Sequence, residues 1–163
     1  MSTLSHRLLP AWQRSVALLE GLQPLAQLAA RAYVAHAFFL SGLTKLRDWD
    51  ITLALFTDEY HVPLLPPELA ALMGTAGELL LPVLLVLGLG GRVAAAGLSV
   101  VNIVAVLSLS DIAPAALQQH VFWGSLLLGL VLWGAGRWSL DRLVTARLTT
   151  AEPATLAGYT RAA

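Results

Sequence analysis

Hydrophobic residues gather into four long runs at about residues 25–46, 69–89, 93–109 and 117–135, with polar punctuation between them. At ~1.5 Å per residue each run makes a helix ~26–33 Å long, close to the roughly 30 Å of a bilayer's hydrocarbon core. Pro63, Pro66 and Pro67 precede the second run, Gly88, Gly90 and Gly91 follow it, and Asp111 and Pro114 precede the fourth. Such residues interrupt helices. The second and third runs are separated by so few residues that they must form an antiparallel hairpin. The pattern predicts an all-α polytopic membrane protein, an antiparallel four-transmembrane-helix bundle over 25–136. Before it, Leu8, Trp12, Val16 and Leu19 form one stripe of a helix over residues 4–20, with Arg7 and Arg14 on another face. That predicts an N-terminal interfacial amphipathic segment within 1–24. No cleaved leader is expected, because the apolar region comes too late for one and the first long run is long enough to remain as an anchor. Residues 49–56 read as a short amphipathic helix outside the bundle, 61–67 as an extended Pro-bounded run, and 137–163 as a tail.

Composition agrees with a lipid-solvated chain. The 163 residues are 57% apolar and 12% charged, against about 45–50% and 25% in soluble domains. Ten basic and ten acidic side chains cancel, which leaves neither the basic excess of a nucleic-acid binder nor the polarity of a disordered chain. No cysteine is present, so disulfide, thiolate-metal and iron–sulfur chemistry are excluded for this polypeptide. The placement of basic residues says more than their sum. Arg7, Arg14, Arg31, Arg92, Arg137, Arg142, Arg147 and Arg161 fall on one side of the bundle, and Lys45 and Arg47 on the other. The positive-inside rule then puts both termini in the cytoplasm, in a bacterial inner membrane.

Ionisable groups within the runs carry the candidate chemistry, because each is costly in lipid. Arg31, Phe38, Gly42 and Lys45 share one face of the first helix, within ~40° of one another, and His36 is turned ~140° from Arg31. Glu78 lies mid-way along the second run, with Ala71, Gly74 and Pro82 near its face. Counting from the run ends puts Glu78 and His36 at similar depth and Arg31 a turn or more away. Glu78 is therefore expected to face Arg31 or His36. This set either lines a polar cavity that binds a lipophilic molecule and exchanges protons, or fixes helix register as a structural pair. Lys45, Glu68 and Arg92 sit at run ends, where their stems can snorkel. Asn102 is expected to make an interhelical hydrogen bond or to touch the same ligand, and His120 to lie near the interface beside Trp123. A bis-histidine haem would need His36 and His120 at matched depth, and they differ, so neither haem nor a metal site is expected. The glycine-rich turn follows a helix and is too short to cradle a phosphate.

Four strings together resemble the DoxX family of small four-helix membrane proteins: RAYVAHAFFLSGLTK over 31–45, YHVPLLPP over 60–67, ELLLPVLLVLGLGGR over 78–92 and GAGRWSLD over 134–141. The resemblance spans about residues 25–145. It implies a four-helix inner-membrane protein and a link to respiratory redox chemistry, through terminal quinol oxidases and, in the related DoxD proteins, thiosulfate:quinone oxidoreductase. Arg31, Gly42, Lys45, Glu78 and Arg92 match the family pattern; His36, Asn102 and His120 rest on the residue-level reading alone. On this basis Glu78 and His36 are expected to move protons, and Arg31, Lys45, Asn102 and Gly42 to form the binding site of a quinone. A soluble or membrane redox partner would supply electrons. A non-catalytic scaffold or assembly partner and a small transporter remain the alternatives, and the small-residue face at Ala94, Ala95 and Gly97 allows a homo-oligomer.

Overall fold

A computed structural model of the chain describes residues 3–150, with side chains described for 9–147. The chain forms six helices there: α1 (Thr3–Arg47), α2 (Trp49–Asp58), α3 (Pro67–Leu87), α4 (Gly91–Leu107), α5 (Pro114–Trp133) and α6 (Leu140–Thr150). The tail beyond residue 150, with Arg161, and the side chain of Arg7 lie outside the described residues.

The first helix departs from expectation. The segment over 4–20 and the run over 25–46 are one continuous helix of 45 residues that passes through Pro10 and Pro24. A proline removes one backbone donor, and strong helix formers such as Leu, Ala and Gln on both sides carry the helix through.

Local chemistry sets the other boundaries. Asp48, in extended backbone, ends α1 and caps α2 by accepting from the Ile51 N–H at 3.0 Å. Pro67 and Pro114 open α3 and α5, where a missing N–H costs nothing. Gly88, at φ 66°, closes α3: its N–H reaches Leu85 O and the Leu89 N–H reaches Leu84 O, the paired bonds of a left-handed helix terminus. Gly90 has no side chain to cap α4, and the Asp141 carboxylate supplies the cap from α6, accepting from Gly90 N at 2.7 Å and Gly91 N at 2.9 Å.

Helix α1 packs on α3, α3 on α4, α4 on α5, and α5 closes the ring against α1. One apolar cluster, with Val34, Phe38, Leu85, Leu98 and Leu127, fills the end nearer the α3–α4 turn. A second, built on Phe56, Ala70 and Ala71, lies under α2 at the opposite end. There the α2–α3 connection is clamped to the α4–α5 connection by a Tyr60–Leu109 bridge and a His61 N–H to Ser108 O bond of 2.8 Å.

Helices α3 and α5 are long and apolar enough to cross a membrane, and α4 is a shorter apolar helix. Their outward faces are largely apolar. Only 33% of the apolar window of α3 and 11% of that of α5 is buried, whereas a core helix of a soluble protein hides most of its surface. Val121, Phe122, Leu128 and Leu132 all point outward, as lipid-facing side chains do.

Candidate functional site

The register of α1 on α3 organises the site. A Cβ placed on Gly42 would stand 2.8 Å from Leu79 Cγ and 3.1 Å from Glu78 Cβ, so the missing side chain lets the two backbones meet at this level. Counting outward along antiparallel helices, Lys45 falls near Thr75, His36 near Leu84 and Arg31 near Gly88.

Glu78 consequently pairs with Lys45, and neither Arg31 nor His36 reaches it. The Lys45 Nζ to Glu78 Oε2 distance is 2.6 Å, with side chains 18% and 9% exposed. Lys45 Nζ also donates to Ser41 Oγ at 3.0 Å, one turn back on α1. The expectation of matched depth for Glu78 and His36 fails because the two helix ends are not level: with Gly42 seated on Glu78 and Leu79, Arg47 falls near Met73, and α3 starts about six residues, or ~9 Å, beyond the end of α1. Lys45, read as a residue that snorkels at a run end, turns inward instead.

Arg31 is fully buried at the other end. Its guanidinium donates to Val86 O at 3.2 Å and to Trp138 O at 2.5 Å, leaving Nε without a partner. It ties the end of α3 to the segment before α6. His36 is exposed and lies in a groove with Pro82, Val83 and Val86. The six candidate residues thus divide: Gly42, Lys45 and Glu78 come together, Asn102 lies one helix away, and Arg31 and His36 stand apart.

Asn102 is buried and joins α4 to α5. Its Nδ2 donates to His120 O at 3.0 Å, and its Oδ1 lies 2.8 Å from His120 Nδ1. An amide oxygen only accepts, so Nδ1 carries the proton and Nε2 is left as an acceptor. The His120 ring also meets Trp123 edge to face at 5.2 Å. His120 is therefore held in a defined orientation.

A cavity of about 340 Å³ opens above the Lys45–Glu78 pair. Ser41, Lys45 and Glu78 supply polar groups from α1 and α3, His120 one from α5, and Tyr60 a phenol from the α2–α3 connection; the remaining wall is mostly Val, Ala, Leu, Met and Phe56. Tyr60 packs edge to face on Phe56 at 5.1 Å. Burial raises the Tyr60 phenol above its ordinary value, with the charges of Glu59 and Glu78 acting the same way, so it stays a neutral hydrogen-bonding group. The helix expected over 49–56 is α2, which brings Phe56 to the cavity wall, whereas Tyr60 had no signal in the apolar periodicity. Only the run of prolines marked an extended connection long enough to fold back.

A family model, DoxX, matches residues 26–111, more than half of the chain. The chain belongs to the DoxX family. The matched stretch of this DoxX protein carries Arg31, Gly42, Lys45, Glu78, Arg92 and Asn102, and with them most of the cavity wall; it ends before α5 and α6, which bring His120 and Asp141. Searches of curated proteins and of solved structures give no match. This DoxX-family chain is thus a membrane protein whose fold brings a lysine–glutamate pair to the floor of an apolar cavity.

Proposed function

We propose that this DoxX protein is the membrane subunit of a quinone-linked redox system, spanning a bacterial inner membrane four times with both termini in the cytoplasm. The observation that carries the reading is the cavity above Lys45–Glu78. Its volume lies in the roughly 300–1,000 Å³ range of small-molecule sites, and its few polar groups converge within apolar walls. A quinone has the same division, a polar head on a hydrocarbon chain. The residues present fit such a group: Lys45 and Ser41 could donate to a carbonyl oxygen, Tyr60 could donate its phenolic hydrogen, and Phe56 and the valines of α4 could pack on a ring. A bound quinone would supply two-electron chemistry, with electrons coming from a partner protein. The chain's own part is to hold the head group, exclude water and offer proton acceptors at the Glu78 carboxylate and at His120 Nε2.

Support for proton handling differs from the expectation based on His36, which sits on the outer groove. His120 takes that place, because it lines the cavity and its ring is fixed by Asn102. A structural reading draws on the same close ion pair, which could serve packing alone.

Purification in mild detergent followed by organic extraction separates the two. A quinone at about one per chain in the wild type, lost in the double variant Lys45→Met/Glu78→Leu at unchanged protein level, supports the binding role. Equal lipophile content in both proteins would refute it.

A further inference from the structure

We infer that the opposite end of the molecule carries a separate binding site for an anionic phospholipid, with the lipid phosphate held by Arg137 and Arg142 beside Arg92. These side chains line one open cleft of about 520 Å³ between α1, the end of α5 and α6. Gly134, Ala135 and Gly136 form part of its wall, and the missing side chains at Gly134 and Gly136 make room for those of Arg92 and Gln27.

The charge balance favours an anion. Among the described residues Asp141 is the one acid lining the cleft, and both of its oxygens are taken by the α4 N-terminus at 2.7 and 2.9 Å. Arg92 is anchored by a 3.2 Å bond from Nη2 to Leu132 O. Arg137 and Arg142 are exposed, and neither has a hydrogen bond or ion pair among the described residues. Two cations are therefore available, on a frame fixed by a third. A guanidinium matches phosphate oxygens in pairs.

The depth of the cleft selects a lipid over a free anion. The apolar helix α5 ends there at Trp133, which lines the cleft 73% exposed, and Trp138, next in sequence to Arg137, is 57% exposed. Exposed tryptophans beside arginines are the signature of the headgroup layer, where basic pockets between helices collect anionic lipids. Acyl chains would run down the outward apolar face of α5.

Native mass spectrometry of the full-length protein in detergent, titrated with phosphatidylglycerol, phosphatidylcholine or inorganic phosphate, tests this. Phosphatidylglycerol is expected to bind at one per chain and to persist under activation that strips phosphatidylcholine. The double variant Arg137→Gln/Arg142→Gln should weaken it about thirtyfold, the combined effect of two interfacial cations, with an unchanged melting temperature. Arg137→Lys/Arg142→Lys should recover most of the binding. Equal binding of phosphatidylcholine, wild-type binding by the Gln variant, or displacement of the lipid by equimolar inorganic phosphate would each overturn the assignment.

Discussion

Replacing Glu78 by Leu leaves the Lys45 ammonium facing an apolar wall, and replacing Lys45 by Met strands the Glu78 carboxylate in the same way. The pair is short, at 2.6 Å, and mostly enclosed, with Glu78 9% and Lys45 18% exposed. Removing one member of a buried pair costs roughly 3–5 kcal/mol. The residual exposure of Lys45 and its second bond to Ser41 put the expected loss at the lower end, about 3 kcal/mol for either single variant. Exchanging both for apolar residues of similar volume removes the desolvation cost together with the attraction, so the double variant should fall within about 1 kcal/mol of wild type or exceed it. Reversible unfolding in mixed micelles, followed by helical circular dichroism, measures all four proteins of the cycle. Additive losses, with the double variant about 6 kcal/mol down, would refute the idea that the two charges are held by each other. The same double variant is the one in which ligand binding should be lost, so stability and function are read on one protein.

Arg31→Met removes two charged hydrogen bonds to Val86 O and Trp138 O and should cost about 3 kcal/mol or more in the same unfolding assay, while sparing lipophile binding at the far end. A glycine series separates space from backbone strain. Gly88→Ala should be far worse than Gly90→Ala, because both sit at positive φ but the new methyl at 88 would stand 2.5 Å from Arg31 Nη1 and that at 90 meets nothing within 4 Å; Gly90→Ala should cost only about 1 kcal/mol. The phenol of Tyr60, raised by burial, should ionise later than free tyrosine with its ordinary value of 10.0. A raised value in the folded state means that its contribution to stability is complete below the ordinary value of 10.0 and fades as pH climbs from there through the folded value; ultraviolet phenolate titration should lose a late component in Tyr60→Phe.

Much of the fold is legible in the chain because its terminators are chemical. Pro67, Gly88, Gly90 and Pro114 bound α3, α4 and α5 within a few residues of the apolar runs. The break expected near residues 21–24 is absent because a single proline is a weaker stop within Leu- and Ala-rich flanks than within a loop. At the site, the residue types were legible and the partners were not. Which cation meets Glu78 depends on axial register, and register is set by Gly42 seated on Leu79 and Glu78, a contact between helices that no single-helix periodicity contains. Asn102 and His120 were visible as polar residues on apolar helices, but their mutual bond follows from α4 and α5 being neighbours. Arg31, which a charge count would pair with an acid, is met entirely by carbonyl oxygens at the end of α3 and before α6.

The proposed role requires a quinone head group in the cavity over Lys45 and Glu78. Photoaffinity labelling of the purified protein with an azido-quinone, followed by peptide mapping, locates it. Saturable labelling confined to the cavity wall, within residues 41–78 and 100–120 and abolished by Lys45→Met/Glu78→Leu, is the expected result. Labelling spread over the outward faces of α3 and α5, or unchanged in that double variant, would contradict it.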